Sequence, residues 1–387
     1  MTAPTFRTVS GDRRPLRVIV VGAGGMGRAW LSTVRSSPDV TLAGVVDLDP
    51  LVARAAAEAA GAPEIPTGTD LTALAAATDP DAVIDVTVPA AHLPVTLEAL
   101  SLGLPVLGEK PVAETLPEAL RLTAAAELSG RLFMVSQSRR YNRQLFRFKD
   151  QARRLGAPGI LTTEFFLAPR FGGFRDAMDH PLLLDMAIHP FDTARFLLDA
   201  EPVSVYCQEY NPSWSWYRGD AATTAIFEMT GGTRYIYTGS WCSPGLETSW
   251  NGSWRLSGEL GSACWNGDDP AVVEAPDAPP AGAPVPAPSA GGAGGGIAGA
   301  LAEFVHALRT GTVPMGEVHE NVMSLAMVAA AVQSASTDRR VVLDEVLDTA
   351  RAEALAAADG EVRELIGSWS SVRDALTARA ENPVGHG

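Results

Sequence analysis

Between residues 16 and 136 the chain alternates short, continuous apolar runs with longer Ala/Leu-rich stretches. The runs fall at 18–21, 42–46, 82–88, 105–107 and 132–135, and the helical stretches between them at 25–34, 50–60, 90–100 and 117–128. An apolar run without polar alternation suits a strand buried on both faces, and helices between such strands imply crossover connections in a parallel sheet. This stretch therefore predicts a doubly wound α/β domain, bounded at 16–136.

After about residue 140 the pattern changes. An Arg-rich helical segment at 144–155 leads to a strand at 160–167 and a helix around 184–198. Strand-like runs follow at 203–209, 223–229, 234–241, 253–257 and 262–265. Gly-Asp, Gly-Gly and Asn-Gly dipeptides separate some of them, as turns between antiparallel strands require. A second α+β domain with a broad, mainly antiparallel sheet is expected over 137–345. Within it, 268–298 is rich in Pro, Ala and Gly and reads as a flexible loop, because it lacks the apolar surface to offset its ordering entropy. Helical sequence resumes at 299–309 and 318–335, and 346–387 reads as a helical tail. Residues 1–15 are polar and read as disordered.

The length of 387 residues agrees with two or three domains. A net charge of -15 argues against nucleic-acid and anionic-membrane partners, which need clustered Lys and Arg. No uncharged apolar stretch is long enough to span a bilayer, and the N-terminus has no signal-peptide core. Three cysteines without CxxC spacing fit a reducing, cytoplasmic setting. Neither paired-Cys nor HExxH spacing occurs, so no metal site is expected. Of the 30 basic residues only Lys110 and Lys149 are lysine. A lysine in this chain is an informative choice.

Gly22-Ala-Gly24-Gly25-Met26-Gly27 follows the first strand and opens a helix. Gly22 permits the tight turn, Gly24 lets the backbone approach a pyrophosphate, and Gly27 allows close helix–strand packing. The helix start then offers free N–H groups to phosphate oxygens. Asp47 ends the second strand twenty residues past Gly27, where a ribose-binding carboxylate belongs. A carboxylate there accepts from a 2′-hydroxyl and repels a 2′-phosphate, so NAD is the expected cofactor, with NADP as the alternative. Asp49-Pro50 reads as a helix start.

Downstream, Thr87-Val-Pro89 with His92, then Glu109-Lys110-Pro111, then Asp185-Met-Ala-Ile-His189 occur in that order. Together with the glycine turn they resemble the Gfo/Idh/MocA oxidoreductases over roughly 17–342. The resemblance implies a Rossmann domain followed by a large open-sheet domain. It also implies hydride transfer between a nicotinamide and one hydroxyl or carbonyl of a sugar, inositol or related polyol. On that basis Thr87, Pro89, His92, Glu109 and Lys110 join Gly22, Gly24, Gly25, Met26, Gly27 and Asp47 as cofactor-side residues. Lys110, Asp185 and His189 are the catalytic candidates.

The residue chemistry agrees. Lys110 follows a parallel strand at its carboxyl end, where open α/β sheets bind ligands, and unlike Arg it is a compact charge with a tunable pKa. Asp185 and His189 are spaced to share one helix face, where the carboxylate orients and charges the imidazole. That pair suits removal of a hydroxyl proton. Pro190 distorts the helix or places its start near Asp185. By the family resemblance, Arg140, Asn142 and His180 complete the expected substrate set with Lys110, Asp185 and His189. His180 replaces part of a glycine-rich turn common in the family, and because that loop borders the substrate this departure leaves the substrate class open. Aromatics between Trp214 and Trp265 either stack on a sugar or pack the sheet. Alternatives are a redox-neutral, NAD-using glycosidase or epimerase and a non-catalytic nucleotide-binding regulator. An exposed sheet face favours a homodimer or homotetramer.

Overall fold

Each of the early apolar runs becomes a strand of one parallel sheet. The computed structural model describes residues 6–9, 14–276 and 295–381, and the chain separates into two units. The first holds residues 1–138, 288–322 and 348–387, and the second 139–287 and 323–347.

In the first unit the strands are β1 (Leu16–Val21), β2 (Val40–Val46), β3 (Thr67–Gly68), β4 (Ala82–Asp85), β5 (Val106–Glu109) and β6 (Phe133–Ser136). They lie in the order β3-β2-β1-β4-β5-β6, and every pairing is parallel. Helices α1 (Gly25–Ser36), α2 (Pro50–Ala59), α3 (Leu71–Thr78), α4 (Pro89–Ser101) and α5 (Leu116–Ser129) alternate with them. Ile19, Val20, Val45, Val83, Ile84, Val106 and Leu107 are fully buried, as strands covered on both faces require. Strand order reverses between β1 and β4, so the loops leaving these strands flank a crevice at their carboxyl ends. The two loops touch: Val86 N–H donates to Val21 O at 2.8 Å.

The termini depart from expectation. Phe6 is buried, and the N–H groups of Arg7 and Val9 donate to Gly130 O and Leu308 O, both at 2.8 Å. One buried aromatic with two backbone hydrogen bonds suffices to order residues 6–9, which the polar composition of 1–15 had concealed. The tail expected at 346–387 is three helices, α10 (Leu343–Ala357), α11 (Gly360–Ser368) and α12 (Val372–Glu381). The break falls at Asp359, the N-cap of α11, and α11 packs on α5.

In the second unit β7 (Pro158–Phe166), β8 (Pro202–Tyr210), β9 (Ala222–Met229), β10 (Arg234–Ser240), β11 (Ser253–Gly258), β12 (Gly261–Trp265), β13 (Val272–Glu274) and β14 (Val341–Val342) form one sheet, ordered β13-β12-β11-β7-β10-β9-β8-β14. β7 and β10 run parallel, and the other pairs are antiparallel. Strand alternation gives the sheet two chemically distinct faces. Val205, Phe227, Tyr235, Leu161 and Leu256 follow one another in register and are buried. The row beside them, Tyr206, Ile226, Ile236, Thr162 and Arg255, points the other way. The buried face is covered by α7 (Ile188–Leu198), whose Phe191 ring lies 4.8 Å from Phe227 and 5.3 Å from Tyr237. α6 (Arg143–Ala152) flanks β12.

The expected loop at 268–298 contains β13 and the start of α8 (Ile297–Thr310); residues 277–294 lie outside the described residues. α8 and α9 (Val318–Thr337) supply the late helices. Among the described residues no helix is long and apolar enough to cross a membrane.

Candidate functional site

In the first unit the glycine turn is built as its spacing predicts. Gly22 has φ +97°, and a Cβ there would lie 2.7 Å from Val86 O. A Cβ on Gly27 would lie 2.1 Å from Gly22 O, so only glycine lets α1 start this close to β1. Gly24 and Gly25 face open space instead, where a Cβ would meet nothing within 4 Å. The α1 N-terminus has no side-chain cap. An open, uncapped helix start offers N–H groups to an anion.

Asp47 holds this turn from the end of β2. Its Oδ2 accepts from Ala23 N–H at 2.8 Å and its Oδ1 from Asp49 N–H at 3.1 Å. Asp49 caps α2 by accepting from Leu51 N–H at 2.8 Å, as its Asp-Pro context suggested. Around the turn Met26, Leu48, Leu51 and Val88 are exposed apolar side chains. Scattered exposed apolar residues are unremarkable singly, but four around one glycine turn make an apolar rim.

The residues after β4 and β5 form a buried scaffold. Asp85 is fully buried at the end of β4, where it accepts from Thr87 Oγ1 at 2.6 Å and Thr96 Oγ1 at 3.1 Å. Burial raises its pKa against those hydrogen bonds. Glu109 is likewise raised by burial, although Trp30 Nε1 donates to it at 2.7 Å. His92 is 2% exposed; its Nδ1 lies 2.7 Å from Pro111 O and its Nε2 3.1 Å from Thr87 O. The polar atoms of His92 and Glu109, both expected on the cofactor side, tie the β4 and β5 loops to each other and to α1. Thr87 and Pro89 are half-buried at the start of α4. Lys110 is half-buried, and its bond to Pro111 is cis.

In the second unit the segment before α7 is a π-helical turn, Leu183–Ala187. Pro190 has no N–H to close the α-helical bond to Met186, and a wider turn accommodates that gap. Asp185 lies on this turn and accepts from Arg175 Nε at 2.8 Å, a partner that spacing could not reveal. His189 lies on α7 at 8% exposure. It lines a pocket with Arg139, Thr193, Trp250, Asn251 and Trp265. Trp250 is 42% exposed, and the exposed Phe171 ring lies 6.3 Å from it. Trp241, Trp254 and Trp265 are buried in the core of the unit.

The expected substrate residues Arg140 and Asn142 have partners within the unit. Arg140 is buried and forks onto Asp192, with Nε–Oδ2 at 2.6 Å and Nη2–Oδ1 at 2.7 Å. Ser324 Oγ also donates to Asp192, at 2.7 Å, and itself accepts from Arg195. A buried bidentate pair is a structural tie, since a lone buried charge costs several kcal/mol, on the order of 3–5. Asn142 caps α6, accepting from Gln144 N–H at 2.9 Å. His180 is half-buried with its Nδ1 2.6 Å from Glu209 Oε2, and this hydrogen bond raises its pKa. Arg139 lines the pocket, and so does Trp250, one of the aromatics expected either to stack on a sugar or to pack the sheet.

Comparison with known proteins agrees with both units. The family model described as "Oxidoreductase family, NAD-binding Rossmann fold" matches residues 16–137, and the GFO/IDH/MocA C-terminal domain matches 162–264. Inositol 2-dehydrogenase of Rhodococcus erythropolis is 28% identical over 346 residues, covering 87% of this chain and 97% of that one. Inositol 2-dehydrogenase 4 of Saccharopolyspora erythraea is 34% identical over 198 residues, or 50% of this chain and 57% of that one. Among solved structures, an oxidoreductase of Agrobacterium radiobacter in complex with NAD+, L-tartaric acid and magnesium superposes with a TM-score of 0.75 at 19% identity, covering 86% of this chain and 99% of that one. At that identity the likeness concerns the fold.

Proposed function

Because this chain belongs to the Gfo/Idh/MocA family of NAD-binding oxidoreductases, we propose that it is a dehydrogenase or reductase of a secondary hydroxyl on a sugar, inositol or related polyol. The observation that carries this reading is His189, held on α7 in the wall of a pocket beside an exposed aromatic ring. A nucleotide turn alone would serve a regulator equally well. The inositol 2-dehydrogenases among its relatives support the substrate class.

The dinucleotide fits the first unit. Gly24, Gly25 and Met26 would receive the pyrophosphate at the open α1 start, and Asp47 the adenosine ribose. Asp47 and its exposed apolar neighbour Leu48 offer a 2′-phosphate repulsion and no cation, which favours NAD over NADP. When bound, the cofactor supplies a two-electron hydride acceptor at its nicotinamide. The protein supplies the proton chemistry: a ring nitrogen of His189 takes the substrate hydroxyl proton, and Lys110 Nζ stabilises the oxygen as negative charge develops. Asp185 holds the His189 side of the site from the π-turn, with Arg175 fixing its carboxylate. We further infer a cytoplasmic homo-oligomer, with free thiols at Cys207, Cys242 and Cys264 and pairing through the outer sheet face.

The test is NADH absorbance with inositols, hexoses and sugar acids in both directions. Net turnover with one class is expected, and His189→Ala and Lys110→Ala should each lower kcat by about 10²-fold or more while NAD binding persists. Near-normal turnover in both variants would overturn the assignment. NAD binding without net NADH across the panel would favour a redox-neutral reaction.

A further inference from the structure

Several buried or partly buried arginines of the second unit are neutralised in place. Arg140 forks onto Asp192 and Arg195 onto Glu201, while Arg175 meets Asp185. Arg139 differs. It is largely enclosed, and burial lowers its pKa from the ordinary guanidinium value, with only the more distant Asp268 opposing. Among the described residues no carboxylate stands within 4 Å of it. Its contacts are neutral: Nη1 donates to Asn251 Oδ1 at 3.2 Å, and the guanidinium carbon lies 5.9 Å from the centroid of the Trp250 ring. An enclosed cation without an anion is unfavourable unless something else supplies the charge.

The position of Arg139 indicates what that is. It lines the same pocket as His189. Trp265 lines it too, and its indole N–H is buried without a partner among the described residues. A cation without a counter-charge and an indole thus line the same pocket as the proposed base, and the exposed Trp250 ring suits the C–H face of a sugar or cyclitol.

We propose that Arg139 is a specificity-determining residue that binds a carboxylate on the substrate, so that the preferred substrates are sugar acids of the uronate type. This rests on the dehydrogenase reading above. A carboxylate is favoured over a phosphate because one guanidinium matches one negative charge. The other lysine, Lys149, is committed to Asp199 and to the Phe196 carbonyl.

The experiment uses the full-length protein with NAD and three pyranoses differing at one carbon: D-glucuronate, D-glucose and D-glucose 6-phosphate. Wild type should favour glucuronate over glucose by about 10²-fold in kcat/KM, as expected when a site built for a polar group meets an analogue lacking it. Arg139→Gln should remove most of that preference, lowering kcat/KM for glucuronate far more than for glucose. Arg139→Lys should restore part of it, because the charge returns without the fork. Calorimetric titration of each sugar into the NADH-bound protein gives a readout independent of turnover. Glucuronate binding that Arg139→Gln abolishes, without any NADH formation, would uphold the carboxylate site and overturn the dehydrogenase reading. Neutral sugars turned over as well as glucuronate, a preference for the 6-phosphate, or equal losses on both sugars in Arg139→Gln would overturn the inference and leave the dehydrogenase reading standing. Should Arg139→Gln melt early, Arg139→Lys alone decides by the same comparison.

Discussion

His319 is buried in the first unit between two carboxylates, with Nε2 2.7 Å from Glu127 and Nδ1 2.8 Å from Glu317. Burial alone would lower its pKa, but the two glutamates outweigh it and raise the group from 6.5 to about 9. A raised histidine pKa stabilises the fold fully below its unfolded value, and that contribution is lost as pH rises through about 9. The shift corresponds to roughly 3 kcal/mol. Melting temperature should therefore fall between pH 7 and pH 10, and His319→Gln should melt lower at pH 7 and flatten that part of the curve; parallel curves would refute the assignment. Sequence alone could not reveal this trio, because Glu127 lies 192 positions away from His319. The same holds for Arg140, whose partner Asp192 is 52 positions downstream. Gly22 and Gly27 were legible, since the tight turn and the close helix–strand packing follow from backbone geometry within one strand–turn–helix unit.

At the scale of elements, the turn between β1 and α1 separates two kinds of glycine. Gly27→Ala must push its methyl against Gly22 O, and should destabilise the protein by about 1–3 kcal/mol, as overpacking does. Gly24→Ala meets no atom of the protein, so its melting temperature should be unchanged while NAD affinity drops at least about tenfold by calorimetric titration. Equal melting losses in both would mean the turn is purely structural. β1 and β4 were readable because their apolar runs, Val18–Val21 and Ala82–Ile84, are buried on both faces without polar alternation. β3 and β14, two residues each, are too short to carry a period. The π-turn before α7 was visible only as a conflict between helical spacing and Pro190, and the structure resolves it by widening the helix at Asp185.

For the whole molecule, the parallel sheet and the broad antiparallel sheet were both expected from the pattern, but their membership was not. The late helices α8, α11 and α12 return to the first unit, because an amphipathic helix does not encode which face will receive it. The outer face of the second sheet exposes Tyr206 and Ile226 as a directly opposed cross-strand pair. If copies pair there, Ile226→Glu should convert the assembly to monomers in light scattering at micromolar concentration. A wild-type monomer would refute the pairing.

The scarcity of lysine has a practical side. Lys149 is only 4% exposed and shut in by Asp199 and the Phe196 carbonyl, whereas Lys110 is partly open. Reductive methylation with isotopically enriched formaldehyde would mark few amines in this chain: the α-amino group and, under mild conditions, Lys110 ahead of Lys149. A residue at the centre of the proposed chemistry would then carry its own NMR reporter in a protein of 387 residues, with no engineered label and almost no background.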